Sequence, residues 1–152
     1  MTSNDTTHAG RVLVVEDDES MRRLIAATLL KWGYDVVEAA DGIDLLGWLA
    51  SALSSPTDDR LDVIVSDVNL PDLTALEVMA ALRTHYADVP IILVAAANDS
   101  TVSERGYDLG ASIVLRKPFD VADLGALVKS IGRRNRPHWL PPPLAAAEHD
   151  GR

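Results

Sequence analysis

The 152-residue chain is 47% hydrophobic and 24% charged, the balance of one globular domain with a sizeable core, and it leaves no room for a second domain of ordinary size. Its formal net charge of −9 argues against direct binding of nucleic acid, whose affinity comes mostly from neutralised phosphates. The absence of cysteine removes disulfides, thiolate metal sites and cysteine nucleophiles from consideration. The N-terminus is polar and no apolar stretch is long enough to span a bilayer, so a cytoplasmic location without membrane insertion is expected.

In chain order, residues 12–15 form a short run of branched and aliphatic side chains, the pattern of a strand buried on both faces. Met21, Leu24, Ile25, Thr28, Leu29 and Trp32 then fall on one helical face, with Ser20 ahead of them as the expected N-cap. Val36 and Val37 mark a second strand, and Leu45, Leu46, Leu49 and Leu53 a second helix. A third strand at 63–65 precedes Ala75, Val78, Met79, Leu82 and Tyr86, spaced by three and four as on a helix. Residues 91–94 read as a fourth strand, and residues 100–109 as a polar helix interrupted by Gly106. A fifth strand at 113–115 and an amphipathic helix at 121–131 complete five βα units. Right-handed crossovers with helices on both faces make this a doubly wound α/β fold with a five-stranded parallel sheet. The predicted division is a tail at 1–9, one domain at 10–135, and a second tail at 136–152 that holds Pro137, Pro141, Pro142 and Pro143 beside Trp139 and Leu140.

Ligands of such sheets bind outside the carboxyl ends of the strands, where strand order reverses. Glu16, Asp17 and Asp18 follow the first strand, Asp67 ends the third, and Lys117 follows the fifth. Carboxylates gathered at a low-dielectric sheet edge repel one another, and a cation holds them together. Oxygen donors favour Mg²⁺ or Mn²⁺, and Mg²⁺ shares its remaining positions readily with phosphate. Asp67 is then the expected nucleophile, able to form an acyl phosphate once cation and Lys117 neutralise the incoming group. Asp18 and Glu19 read as charges at a helix N-terminus.

Three segments carry a resemblance that spans residues 11–132: Leu13-Val14-Val15-Glu16-Asp17, Asp62-Val63-Ile64-Val65-Ser66-Asp67 continuing to Asn69-Leu70-Pro71, and Lys117-Pro118-Phe119. Together they resemble the receiver domains of response regulators in bacterial two-component signalling. The resemblance implies a flavodoxin-like (βα)5 fold with strand order 2-1-3-4-5. It implies Asp67 as phosphoacceptor, Asp17 as a direct metal ligand, Glu16 as a ligand through water, and Asn69 as a ligand through its backbone carbonyl. Lys117 is implied to contact the phosphoryl group, with a cis peptide between Lys117 and Pro118. It also implies phosphorylation by a sensor histidine kinase or phosphotransfer protein and action on a downstream protein target, with homodimerisation open to it, and the chain length leads to the expectation of a single-domain regulator. Such a receiver is no enzyme in the ordinary sense, although it promotes its own Mg²⁺-dependent aspartyl phosphorylation and dephosphorylation.

Three positions depart from that pattern. Ala95 stands where the family commonly has Thr or Ser, Val114 where it has Tyr or Phe, and Ala75 where many members have Gly. The first two are the halves of the family's usual relay, so accepting a phosphoryl group and signalling it are separable here. The alternative is a degenerate receiver that acts as a phosphorylation-independent interaction module. An aspartyl phosphatase fits less well, because Asn69 replaces the second Asp such enzymes use as general acid. Nucleotide binding has neither a phosphate-loop nor a dinucleotide glycine motif to support it.

Overall fold

The computed structural model describes residues 10–54, 60–68, 70–96, 106–108 and 110–134. Its elements are β1 (Gly10–Val15), α1 (Glu19–Lys31), β2 (Tyr34–Ala39), α2 (Gly42–Ser54), β3 (Val63–Asp67), α3 (Ala75–His85), β4 (Ile91–Ala95), β5 (Ile113–Arg116) and the C-terminal helix α4 (Val121–Arg134). All strand pairs are parallel, in the order β2-β1-β3-β4-β5. This is the doubly wound order anticipated above.

The order explains the burial of each strand. Residues 12–15 of β1 and all of β3 and β4 are buried, as strands with neighbours on both sides and helices on both faces must be. The edge strands β2 and β5 are only partly covered. Successive side chains point to opposite faces, so one central sheet feeds two cores. Leu13, Ile64, Ile91 and Leu93 meet Leu45 and Leu49 of α2 and Val78, Met79 and Leu82 of α3. Val12, Val14, Val65 and Ile92 meet Ile25 and Leu29 of α1 and Leu124, Val128 and Ile131 of α4. Each such aliphatic side chain contributes roughly 1.5–3 kcal/mol on burial, so these two layers carry the fold.

Helix starts and faces differ in detail from expectation. The N-cap of α1 is Asp18, not Ser20: its carboxylate accepts from the Met21 N–H at 3.0 Å, and Ser20 already lies inside the helix. Leu24 and Leu46, assigned to inward faces from spacing, are 51% and 46% exposed. They sit one position from Ile25 and Leu45, which face the sheet, and a step of about 100° around the helix carries each to the rim of the stripe. Conversely, Ala26 is buried although its small side chain gave no signal. The start of α3 is held by Thr74, whose hydroxyl accepts from the Glu77 N–H while the Glu77 carboxylate accepts from the Thr74 N–H. Of the helix expected at 100–109, Gly106, Tyr107 and Asp108 are helical and the rest lies outside the described residues. The two predicted tails, with Trp139 and Leu140, lie outside them as well. Among the described residues, no helix is long and apolar enough to cross a membrane.

Candidate functional site

Strand order reverses between β1 and β3, and their carboxyl ends deliver the acidic side chains to one place. Glu16 follows β1 directly, and its N–H donates to the Ala39 carbonyl at 3.0 Å, which extends the β1–β2 ladder by one step. Its backbone carbonyl accepts from the Arg22 guanidinium at 3.1 Å, and one oxygen of its carboxylate accepts from the Asp18 N–H at 3.1 Å. Asp67 is the last residue of β3, and the Val68 N–H after it donates to the Val94 carbonyl of β4 at 3.0 Å. Lys117 follows β5, with its N–H on the Ala95 carbonyl at 2.8 Å and a cis peptide to Pro118. Three strand ends thus fix the backbone on which the charged groups stand.

The carboxylates of Glu16, Asp17 and Asp67 each offer an oxygen within 4.8 Å of the others. Glu16 and Asp67 are buried, at 2% and 7% exposure, whereas Asp17 is open to solvent. The Lys117 ammonium lies 3.2 Å from Asp67 Oδ2 and 3.4 Å from Glu16 Oε1. Two of the three carboxylates therefore share one ammonium. Burial, and then the charge of Asp67, push the Glu16 carboxyl up to about 7, against the pull of the Asp18 N–H and Lys117. At Lys117 burial disfavours the charged form, but Asp67 and Glu16 outweigh it and the amine is raised above its ordinary value. A carboxyl that keeps its proton near neutrality marks a cluster short of positive charge. That is the environment a hard divalent cation satisfies, and the donor set is all oxygen. The fourth expected ligand, Asn69, lies outside the described residues.

Beside Lys117 an open depression of about 470 Å³ is lined by Met21, Ala96, Pro118 and Phe119. It gives an approaching group an apolar wall next to the charged cluster. Ala95 is fully buried at the end of β4 and presents only a methyl group there. Val114 on β5 packs against the core, and a Cβ at Gly106 would lie 2.6 Å from Val114 Cγ2, so the two segments meet at van der Waals limits. The Val114 N–H donates to the Tyr107 hydroxyl at 3.2 Å.

Arg22 is the residue of this site that sequence reasoning missed. Besides holding the Glu16 carbonyl, its Nε lies 3.1 Å from Glu38 Oε1 of β2, so one guanidinium fastens the β1–α1 loop to the sheet edge. A basic residue in the first turn of a helix gives no local hint of partners on a strand sixteen residues away.

Residues 12–129 match the family model described as the response regulator receiver domain. The chain is 43% identical over 129 residues to Response regulator MprA of Mycobacterium avium (strain 104), covering 84% of this chain and 53% of that protein. Thus it spans about half the length of the curated relatives it matches. Among solved structures, full-length FixJ from B. japonicum is 27% identical with a TM-score of 0.72, over 95% of this chain and 64% of that one. The Vibrio cholerae chemotaxis protein CheY4 is 34% identical with a TM-score of 0.67, over 80% of this chain and 98% of that one.

Proposed function

The chain belongs to the response regulator receiver domain family, and from that premise we propose that it accepts a phosphoryl group on Asp67 from a histidine kinase or phosphotransfer protein. The observation that carries this reading is the convergence of Glu16, Asp17, Asp67 and Lys117 at three strand ends. A divalent cation, Mg²⁺ or Mn²⁺, would be held by the carboxylates of Glu16, Asp17 and Asp67 and the backbone carbonyl of Asn69, and would supply charge neutralisation for phosphoryl oxygens.

The chain's own residues do the rest. Asp67 offers a carboxylate oxygen to the phosphorus of a phosphohistidine, forming a P–O bond as the P–N bond to the imidazole breaks. Lys117, positioned 3.2 Å from that carboxylate, stays on the developing charge as a fixed cation. Met21, Pro118 and Phe119 offer an apolar surface beside Lys117 against which a donor ring can rest. In hydrolysis a water oxygen forms the new P–O bond while the bond from phosphorus to the Asp67 carboxylate breaks, releasing phosphate and the free carboxylate, with Lys117 again beside the charge.

The output is atypical. Ala95 has no hydroxyl for a phosphoryl oxygen, and Val114 has no ring to move into vacated space, so the β4–β5 route carries little of the signal. The contact of Val114 with Gly106 and the bond from the Val114 N–H to the Tyr107 hydroxyl support this reading, because they tie β5 to the segment beside it. A degenerate receiver acting without phosphorylation is the competing reading. Incubation with acetyl phosphate and Mg²⁺ followed by intact-mass measurement separates them: one added phosphoryl group is expected, dependent on metal and lost in Asp67→Asn. Unchanged labelling of Asp67→Asn would remove the assignment.

A further inference from the structure

The segment that leaves Asp67 is anchored at both ends. At its start, Val68 donates to the Val94 carbonyl of β4. At its far end, Asp72 reaches another element altogether: Oδ1 accepts from the Gly42 N–H at 2.7 Å, and Oδ2 accepts from the Ile43 N–H at 3.1 Å. These are the first two amides of α2, donors that a helix cannot satisfy internally. The remaining donors of that turn are met locally, Asp44 by the Asp41 carboxylate at 2.8 Å and Leu45 by the Asp41 carbonyl at 3.1 Å. Asp72 is therefore the tie between the start of α2 and the Asp67 loop.

The contact is close as well as polar. A Cβ at Gly42 would overlap Leu73 and lie 2.8 Å from Asp72 Oδ1, so glycine is what lets the loop lie against the helix start. Leu73 packs on the core, and its carbonyl accepts from the Leu70 N–H at 3.3 Å, closing residues 70–73 into a turn.

We propose that Asp72 is a positioning residue for phosphoryl acceptance, holding the loop after Asp67 against α2, and that the first turn of α2 reads the state of Asp67 through it. This rests on the receiver reading given above. Because the loop is tied to β4 at one end and to α2 at the other, displacement at Asp67 is carried toward these two anchors. β4 lies between two strands and all five of its residues are buried, whereas in the first turn of α2 Gly42 is covered but Ile43 and Asp44 are exposed. The softer anchor is α2, so displacement goes there. With Ala95 and Val114 in place of the family's relay pair, this tie supplies a route that does not use β4 and β5.

The test uses amide chemical shifts of the full chain in Mg²⁺, with and without the phosphoryl mimic beryllofluoride. In the unmodified protein, shifts are expected at Val68 and Lys117 and also at Asp44, Leu45 and Leu46, whose amides do not touch Asp72. In Asp72→Ala the response of 44–46 is lost while that of Val68 and Lys117 persists. Asp72→Asn, which keeps an acceptor, restores it in part. A cap that only stabilises α2 lowers the melting temperature of Asp72→Ala but leaves the response of 44–46 equal in both proteins, and that result overturns the proposal. So does silence at 44–46 in the unmodified protein while Val68 and Lys117 respond. No response anywhere removes the receiver reading itself, and the proposal falls with it.

Discussion

At the scale of single residues, the site is a balance of like charges that the fold forces together. Glu16 illustrates the cost, because its carboxyl is carried from 4.5 to about 7 by burial and by Asp67. The folded chain keeps this proton after the unfolded chain has lost it. Metal-free stability therefore falls as pH rises from 4.5 through about 7, by up to ~1.4 kcal/mol per pH unit from this group, and the full penalty is present above that window. Glu16→Gln removes the titrating group, so urea denaturation across this range without metal is expected to give a flatter stability curve for the variant. A steeper fall in Glu16→Gln than in the unmodified chain would contradict the account. Arg83 shows the opposite solution to crowding: its guanidinium collects the carbonyls of Tyr86, Ala87 and Val89 and, at 2.7 Å, that of Gly110. One cation there stitches the turn after α3 to the turn before β5.

At the scale of elements, the question is which of them a phosphoryl group on Asp67 moves. A hydrogen bond to a charged group is worth about 1.5–3 kcal/mol, and Ala95 cannot make one. A shift of a two-state equilibrium from 1:99 to 99:1 needs about 5.5 kcal/mol of differential binding. The loss at Ala95 is a large share of that, and β5 is further held by the bond from the Val114 N–H to Tyr107 and by the contact of Val114 with Gly106. With beryllofluoride, amide shifts are expected to concentrate around Glu16, Asp67, Lys117, the loop 70–73 and the first turn of α2, and to fade along β5 and α4. Large changes spreading through residues 99–131 would show that the β4–β5 route works without its usual side chains.

At the scale of the whole molecule, the same cluster is expected to make stability depend on metal. A cation that binds the folded chain and not the unfolded one stabilises it by mass action, by about 2.7 kcal/mol at 100 times its dissociation constant. Relief of the repulsion among Glu16, Asp17 and Asp67 is the physical source of that gain. Thermal unfolding is expected to shift upward with millimolar Mg²⁺ and to respond much less in Asp17→Asn, which removes an exposed carboxylate of the cluster without disturbing the core. A melting temperature indifferent to Mg²⁺ in the unmodified chain would count against the site.

The sequence by itself determined the layered fold and which charged residues meet at its edge. Residues 12–15, 63–65 and 91–94 are aliphatic on both faces, and only strands inside a parallel sheet bury both. The placement of Glu16, Asp17, Asp67 and Lys117 directly after strands was enough to predict that they converge, because all parallel strands end on the same side. Helix spacing located Ile25, Leu29, Val78 and Leu82 in the core but misplaced Leu24 and Leu46, since a helical repeat defines a stripe and not where its edge meets the sheet. Ser20 looked like a cap because it precedes the apolar stripe, yet the cap is the residue whose side chain reaches a free N–H, and that is Asp18. What only the tertiary structure decided are the partnerships between distant residues. Arg22 meets Glu38 across sixteen positions and Asp72 meets Gly42 across thirty, and neither pair has a local pattern. They exist because the doubly wound sheet carries the ends of β1, β2 and β3 to one edge, where loops remote in sequence share the same unsatisfied backbone groups.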